Sequence, residues 1–178
     1  MPVRTVFALI CTLLGACAAQ VAGDSGANPL NAGGTLILLQ DLTVPGGQAR
    51  VFLQAGQVVD KTQLNIYQPH CNFEQRRLSD GSAVIAVDRF EITAIREGED
   101  FIVQRHSLRY AALSMGGGDY GPSHVNRYLH FALSSSRQPD VMRLTCHGGF
   151  DLPGLAQLPR PSEMRAALAG YVELERVW

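Results

Sequence analysis

Two dipeptides, His70-Cys71 and Cys146-His147, hold the most versatile side chains in this sequence. Two thiols and two imidazoles make the ligand set of a tetrahedral zinc or copper site. Strand geometry speaks against a single four-ligand cluster. Neighbouring residues on a strand point to opposite faces, so His70 and His147 diverge from the cysteines. A bend at Pro69 or at Gly148-Gly149 is needed to bring all four together. A metal or small-ligand carrier centred on His70 and His147 therefore stands as an alternative function. No C-x-x-C-H run is present, so the haem-attachment motif is missing. No cofactor is expected.

Three further groupings carry reactive types. Asp119, Ser123 and His124 have the residue types of a hydrolytic triad. They crowd into one segment, whereas triad members normally come from separate segments, and no G-x-S-x-G elbow accompanies them. A hydrolase using His124 or His147 is a second alternative. Met115-Gly-Gly-Gly-Asp-Tyr-Gly-Pro122 is rich in glycine but lacks the lysine a phosphate-cradling loop requires. It reads as a surface loop, and Tyr120 with His124 is the expected binding surface there. Glu97, Glu99 and Asp100 offer carboxylates for calcium, without the ordered spacing of an EF-hand.

The elements that must position these residues are mostly strands. Thr35–Gln40 is a short apolar run, Pro45-Gly46-Gly47 marks a turn, and Ala49–Gln54 follows before a break at Ala55-Gly56. Val84–Val87 and Phe90–Ile95 are two more strands, parted by Asp88-Arg89. Phe101–Gln104 is another, expected after a break at Glu97-Gly98-Glu99-Asp100. Along Arg127–Leu133, Leu129, Phe131 and Leu133 face one way and Tyr128 and His130 the other. Val141–Cys146 alternates too and ends in a turn at Gly148-Gly149. Asp80-Gly81 is a hairpin signal. Glu74-Gln75-Arg76-Arg77 and Arg96–Asp100 read as solvated strand ends. Pro161-Ser162 opens one helix, with Ser162 as N-cap and Gly170 at C′. Tyr171–Trp178 alternates as a final strand, with a helix continuing to Arg176 as the alternative. The class is mainly β: an antiparallel sandwich or partly closed barrel of about seven to nine strands with one short C-terminal helix.

The chain begins with Arg4 and an apolar run from Val6 to Leu14, closed by Leu14-Gly15-Ala16-Cys17. The order is that of a secretory signal, and the run is shorter than the ~20 residues a spanning helix needs. The closing residues resemble the lipobox of bacterial lipoproteins. That resemblance covers the signal only. It implies cleavage after Ala16, acylation of Cys17 by several chains, and lasting membrane attachment. Ala18, where lipoproteins kept at the inner membrane commonly carry aspartate, implies the outer membrane facing the periplasm. Ala16-Cys17-Ala18 also fits the A-x-A pattern, whose use would release the domain into the periplasm unlipidated. The organisation expected is a signal over 1–16, lipidated Cys17 and a Gly/Ala/Asn/Ser-rich tether over 17–34, and one domain over 35–178. The tether has a root-mean-square reach of roughly 20–25 Å.

Under that resemblance lipid consumes Cys17 and Cys11 leaves with the signal. Cys71 and Cys146 remain as an even pair in an oxidising compartment, where a disulfide is the default. Alternation places Cys71 with Phe73, and Cys146 with Met142 and Leu144, so both point to the core. The charge is balanced, 15 Lys+Arg against 16 Asp+Glu, with no basic stripe, which argues against a nucleic-acid partner. The reading is a non-enzymatic structural or protein-interaction module, attached to the membrane through a lipid anchor and partnered by another envelope protein.

Overall fold

Ten strands and one helix form along the residues that the computed structural model describes, 32–102 and 122–177. They are β1 (Thr35–Leu38), β2 (Leu42–Val44), β3 (Arg50–Gln54), β4 (Gln57–Val59), β5 (His70–Gln75), β6 (Ala83–Ile85), β7 (Asp88–Ile102), β8 (His124–Ser134), β9 (Val141–Asp151), α1 (Pro161–Leu168) and β10 (Val172–Glu175). Eight of the strands make one antiparallel sheet in the order β10-β1-β7-β8-β9-β5-β3-β4, and β2 pairs with β6 apart from it. The large sheet curls into a half-barrel, the partly closed form of the expected β architecture.

Helix α1 explains the curl. It packs on β3 and β5 near one edge of the sheet and on β10 at the other, so it bridges the open side of the barrel. Its apolar face, Met164, Ala167 and Leu168, is buried. Beneath it lie Leu36, Leu38, Leu53, Phe73, Phe90, Ile92, Phe131 and Leu144, each with essentially no exposed surface. Each of the larger of these side chains contributes about 1.5–3 kcal/mol by leaving water. Pro161 occupies N1, where its missing N–H costs nothing, and that moves the N-cap from the expected Ser162 to Arg160. The Glu163 carboxylate accepts the Arg160 N–H at 2.7 Å. Gly170, at φ +78°, ends the helix as expected, and the chain leaves as strand β10.

Other expectations are corrected. Glu97–Asp100 is no break: β7 runs unbroken from Asp88 to Ile102. Gly98 is there because the Tyr128 ring of β8 lies across it, where a Cβ would collide. Strand β9 likewise does not stop at Gly148-Gly149 but continues to Asp151. A Cβ on Gly148 would meet the Gln157 carbonyl, and one on Gly149 the Tyr67 carbonyl at 2.8 Å, so two loops lie directly on the strand. Asp80-Gly81 closes no hairpin, because β5 and β6 belong to different sheets. Ala55-Gly56 is the true two-residue hairpin, linking β3 to β4 with both φ angles positive. Glu74 is not a solvated strand end. Its side chain is 12% exposed and its Oε2 accepts from Arg50 Nε at 3.1 Å and Arg143 Nε at 2.8 Å. Burial alone would raise its carboxyl pKa; the two guanidinium groups outweigh that and hold it below its usual value.

Candidate functional site

The pairing of β5 with β9 sets Cys71 opposite Cys146 and His70 opposite His147. Alternation sends the two pairs to opposite faces. On the core side the sulfurs form a disulfide, with the Cα atoms 4.1 Å apart and both residues at most 1% exposed. On the outer side the imidazoles stack, their centroids 4.5 Å apart and their planes 10° from parallel. The four residues therefore do not converge as ligands. One pair staples the two strands from inside; the other clasps them from outside.

The histidine pair belongs to a larger row. His70, His147, Tyr128 and Gly98 stand directly opposite one another on β5, β9, β8 and β7. The Tyr128 ring lies 5.4 Å from His147 and 4.4 Å from His130. A second row, Asn72, Thr145, His130 and Arg96, runs beside it, and a third holds Arg50, Glu74 and Arg143. Three adjacent strands thus carry three histidines on one outer patch.

Hydrogen bonds fix these imidazoles. Nδ1 of His70 donates to the Gln68 carbonyl at 2.9 Å, so its Nε2 is unprotonated in the neutral ring. His130 Nδ1 lies 2.7 Å from the hydroxyl of buried Thr145. The side-chain amides of Asn72 and Asn126 lie 3.2 and 3.1 Å from Nε2 and Nδ1 of His147. A neutral imidazole has one N–H and one bare nitrogen, so one of these amides must present its oxygen and the other its nitrogen. Both asparagines are at most 2% exposed. All three imidazoles titrate below the usual 6.5. His147 is pushed down to about 3, by burial first and then by His70, His130 and Arg50. Burial lowers His70 against the opposing Gln68 hydrogen bond. Burial and Arg143 lower His130. Neutral, stacked and hydrogen-bonded, these rings tie β5, β8 and β9 together on the outer face. Both nitrogens of His147 lie within hydrogen-bond reach of a buried side-chain amide.

His124 sits elsewhere, at the end of the sheet where β7 finishes and β8 begins. Its Nδ1 is 3.4 Å from Ser123 Oγ, which itself donates to the Ile102 carbonyl at 3.0 Å. The Tyr67 ring meets it edge-on at 5.7 Å. Cys17, Asp119 and Tyr120 lie outside the described residues. Exposed apolar side chains gather at this end: Tyr67, Phe101, Leu152 and Leu155, each 53–57% exposed. Register sets Phe101 opposite Val125 and Val125 opposite Asp151, next to Leu152, whereas Tyr67 meets His124, which alternates to the other face of the sheet from Phe101. Glu97 and Glu99 are engaged by Arg127 at 3.2 and 3.4 Å, not gathered around a cation site. Among the described residues no group of three or more His, Cys, Asp or Glu side chains is arranged to hold a metal.

Asn72, Asn126, Thr145 and Tyr128 join the patch without any local motif to single them out. Alternation shows which face each takes. The register that sets Tyr128 beside His147 depends on a bulge between Asn126 and Tyr128 that no local pattern announces. Comparison with protein-family models, with curated proteins and with solved structures finds no match to this chain.

Proposed function

We propose that this chain is an outer-membrane-anchored lipoprotein whose domain, 35–178, is a non-enzymatic module that binds another envelope protein. The observation that carries the reading is the exposure of Tyr67, Phe101, Leu152 and Leu155 at the end of the sheet that bears His124. Several large apolar side chains left exposed at one end of a fold mark a contact site. The histidines with most chemical potential are instead committed to holding the outer face of the sheet. The lipobox-like Leu14–Cys17 supports the anchor.

Two measurements test this. Intact mass of the mature chain from cells is expected to show an acylated start at Cys17; an unlipidated start at Ala19 would refute the anchor. A Phe101→Ser/Leu152→Ser variant is expected to lose partner binding while keeping its melting temperature. Undiminished binding by that variant would refute the contact surface.

A further inference from the structure

Strand β10 forms one edge of the half-barrel. Its inner neighbour is β1, with Leu36 opposite Leu174 and Leu38 opposite Val172. Among the described residues no strand pairs with its other side. No proline or bulge blocks Val172–Glu175, two of the usual ways of blunting an edge. Beside it, between α1 and β10, lies an open groove of about 390 Å³ lined by Arg165, Leu168, Val172, Glu173, Leu174 and Glu175. The opposite edge, β4, has only three residues.

The sequence of β10 restricts what can add there. Val172 and Leu174 share a face with core residues Leu36 and Leu38, so Glu173 and Glu175 face outward. Directly opposed residues of an antiparallel pair share a face. A second copy pairing β10 against β10 with its apolar residues on the same face of the joint sheet matches odd positions with odd. The two registers of greatest overlap set Glu173 against Glu173 or Glu173 against Glu175. Like charges directly opposite destabilise a pair. The same register favours a strand carrying cations at those outward positions and apolar residues opposite Val172 and Leu174. Arg89 already takes Glu175 at 2.8 Å, whereas Glu173 has no ion pair among the described residues.

We infer that β10 receives an extended segment of a partner protein, alternating basic and apolar residues, as a ninth strand of the sheet. Its apolar side chains enter the groove beside Leu168, and its basic ones meet Glu173. The inference shares with the proposed function the premise that the domain binds protein, but it uses a different surface, so each can fail alone.

The test is a titration of the isotope-labelled full chain in detergent micelles with acetyl-Lys-Val-Lys-Val-Lys-Val-amide. Saturable amide shifts over 172–175 are expected. A glutamate-for-lysine peptide is expected to bind about tenfold more weakly. Methylating alternate peptide nitrogens should abolish the shifts, since strand addition needs those N–H groups. The variant Glu173→Lys should reverse the preference between the two peptides without unfolding an exposed strand position. Shifts that are absent, that lie away from β10, or that survive methylation overturn the inference. A concentration-dependent dimer in the unliganded chain, with its concentration-dependent amide shifts at 172–175, assigns the edge to a second copy and overturns it as well.

Discussion

Acidification is the most informative perturbation of this fold, because three imidazoles on its outer face are held neutral. An unfolded chain protonates His147 near its ordinary 6.5, whereas the folded chain resists until about 3. Stability from this residue is therefore complete above pH 6.5 and declines as the pH falls towards the folded value. A tenfold difference in proton affinity between the two states is worth about 1.4 kcal/mol, so His147 alone removes about 2–3 kcal/mol between neutrality and pH 4.5. Its limit is roughly 4–5 kcal/mol near pH 3. His70 and His130 are lowered as well and act in the same direction. Glu74 and Asp88 are held below their ordinary carboxyl values of 4.5 and 3.8, so their contributions are lost only at lower pH. The window from pH 6.5 to 5 thus belongs to the histidines. The assay is chemical denaturation at several pH values on wild type and His147→Gln. The variant is expected to be less stable at pH 7, having lost the stack on His70, and to lose about 2–3 kcal/mol less on going to pH 4.5. Equal losses in both proteins, or a folded-state His147 resonance titrating near 6.5, would refute the reasoning.

Other perturbations report on separate parts of the account. Replacing Cys71 and Cys146 with serine removes a link across 75 residues and should cost roughly 4.5 kcal/mol by the chain-entropy argument, visible as a large fall in thermal midpoint. A midpoint unchanged by reduction would contradict a structural role for the bridge. Gly98→Ala drives a methyl group into the Tyr128 ring and should cost about 1–3 kcal/mol. Most of that cost should vanish in a Tyr128→Ala background; additive losses would show that the ring does not lie on β7. Ala55 adopts φ +51° in the β3–β4 turn, so Ala55→Asn should raise stability by about 1 kcal/mol in equilibrium unfolding. A loss of stability would deny the two-residue turn.

The legible parts of this fold were those dictated by local pattern. Leu129, Phe131 and Leu133 alternate against Tyr128 and His130, and β8 places them on those faces. The cysteines shared faces with Phe73 and Leu144, and the bridge lies in the core beside them. Glycine misled where its purpose was tertiary. Gly98, Gly148 and Gly149 resemble turn residues in sequence, yet each makes room for a ring or a loop brought from elsewhere. Glu74 read as solvated because Arg50 and Arg143 are distant in sequence and meet it only through the pairing of β3, β5 and β9. The histidine stack was half visible. Divergence from the cysteines followed from alternation, but the direct opposition of His70 and His147 follows from the register of β5 on β9.

Photo-crosslinking in intact cells tests the central claim most directly, that a tethered domain binds through the end bearing Tyr67, Phe101, Leu152 and Leu155. A photoreactive residue is placed at 101 or 152, and at the more exposed Leu78, beyond the other end of β5, as control. Discrete adducts with one envelope protein are expected from 101 and 152 and not from 78. Adducts from all three positions alike, or from none of them, would contradict the account.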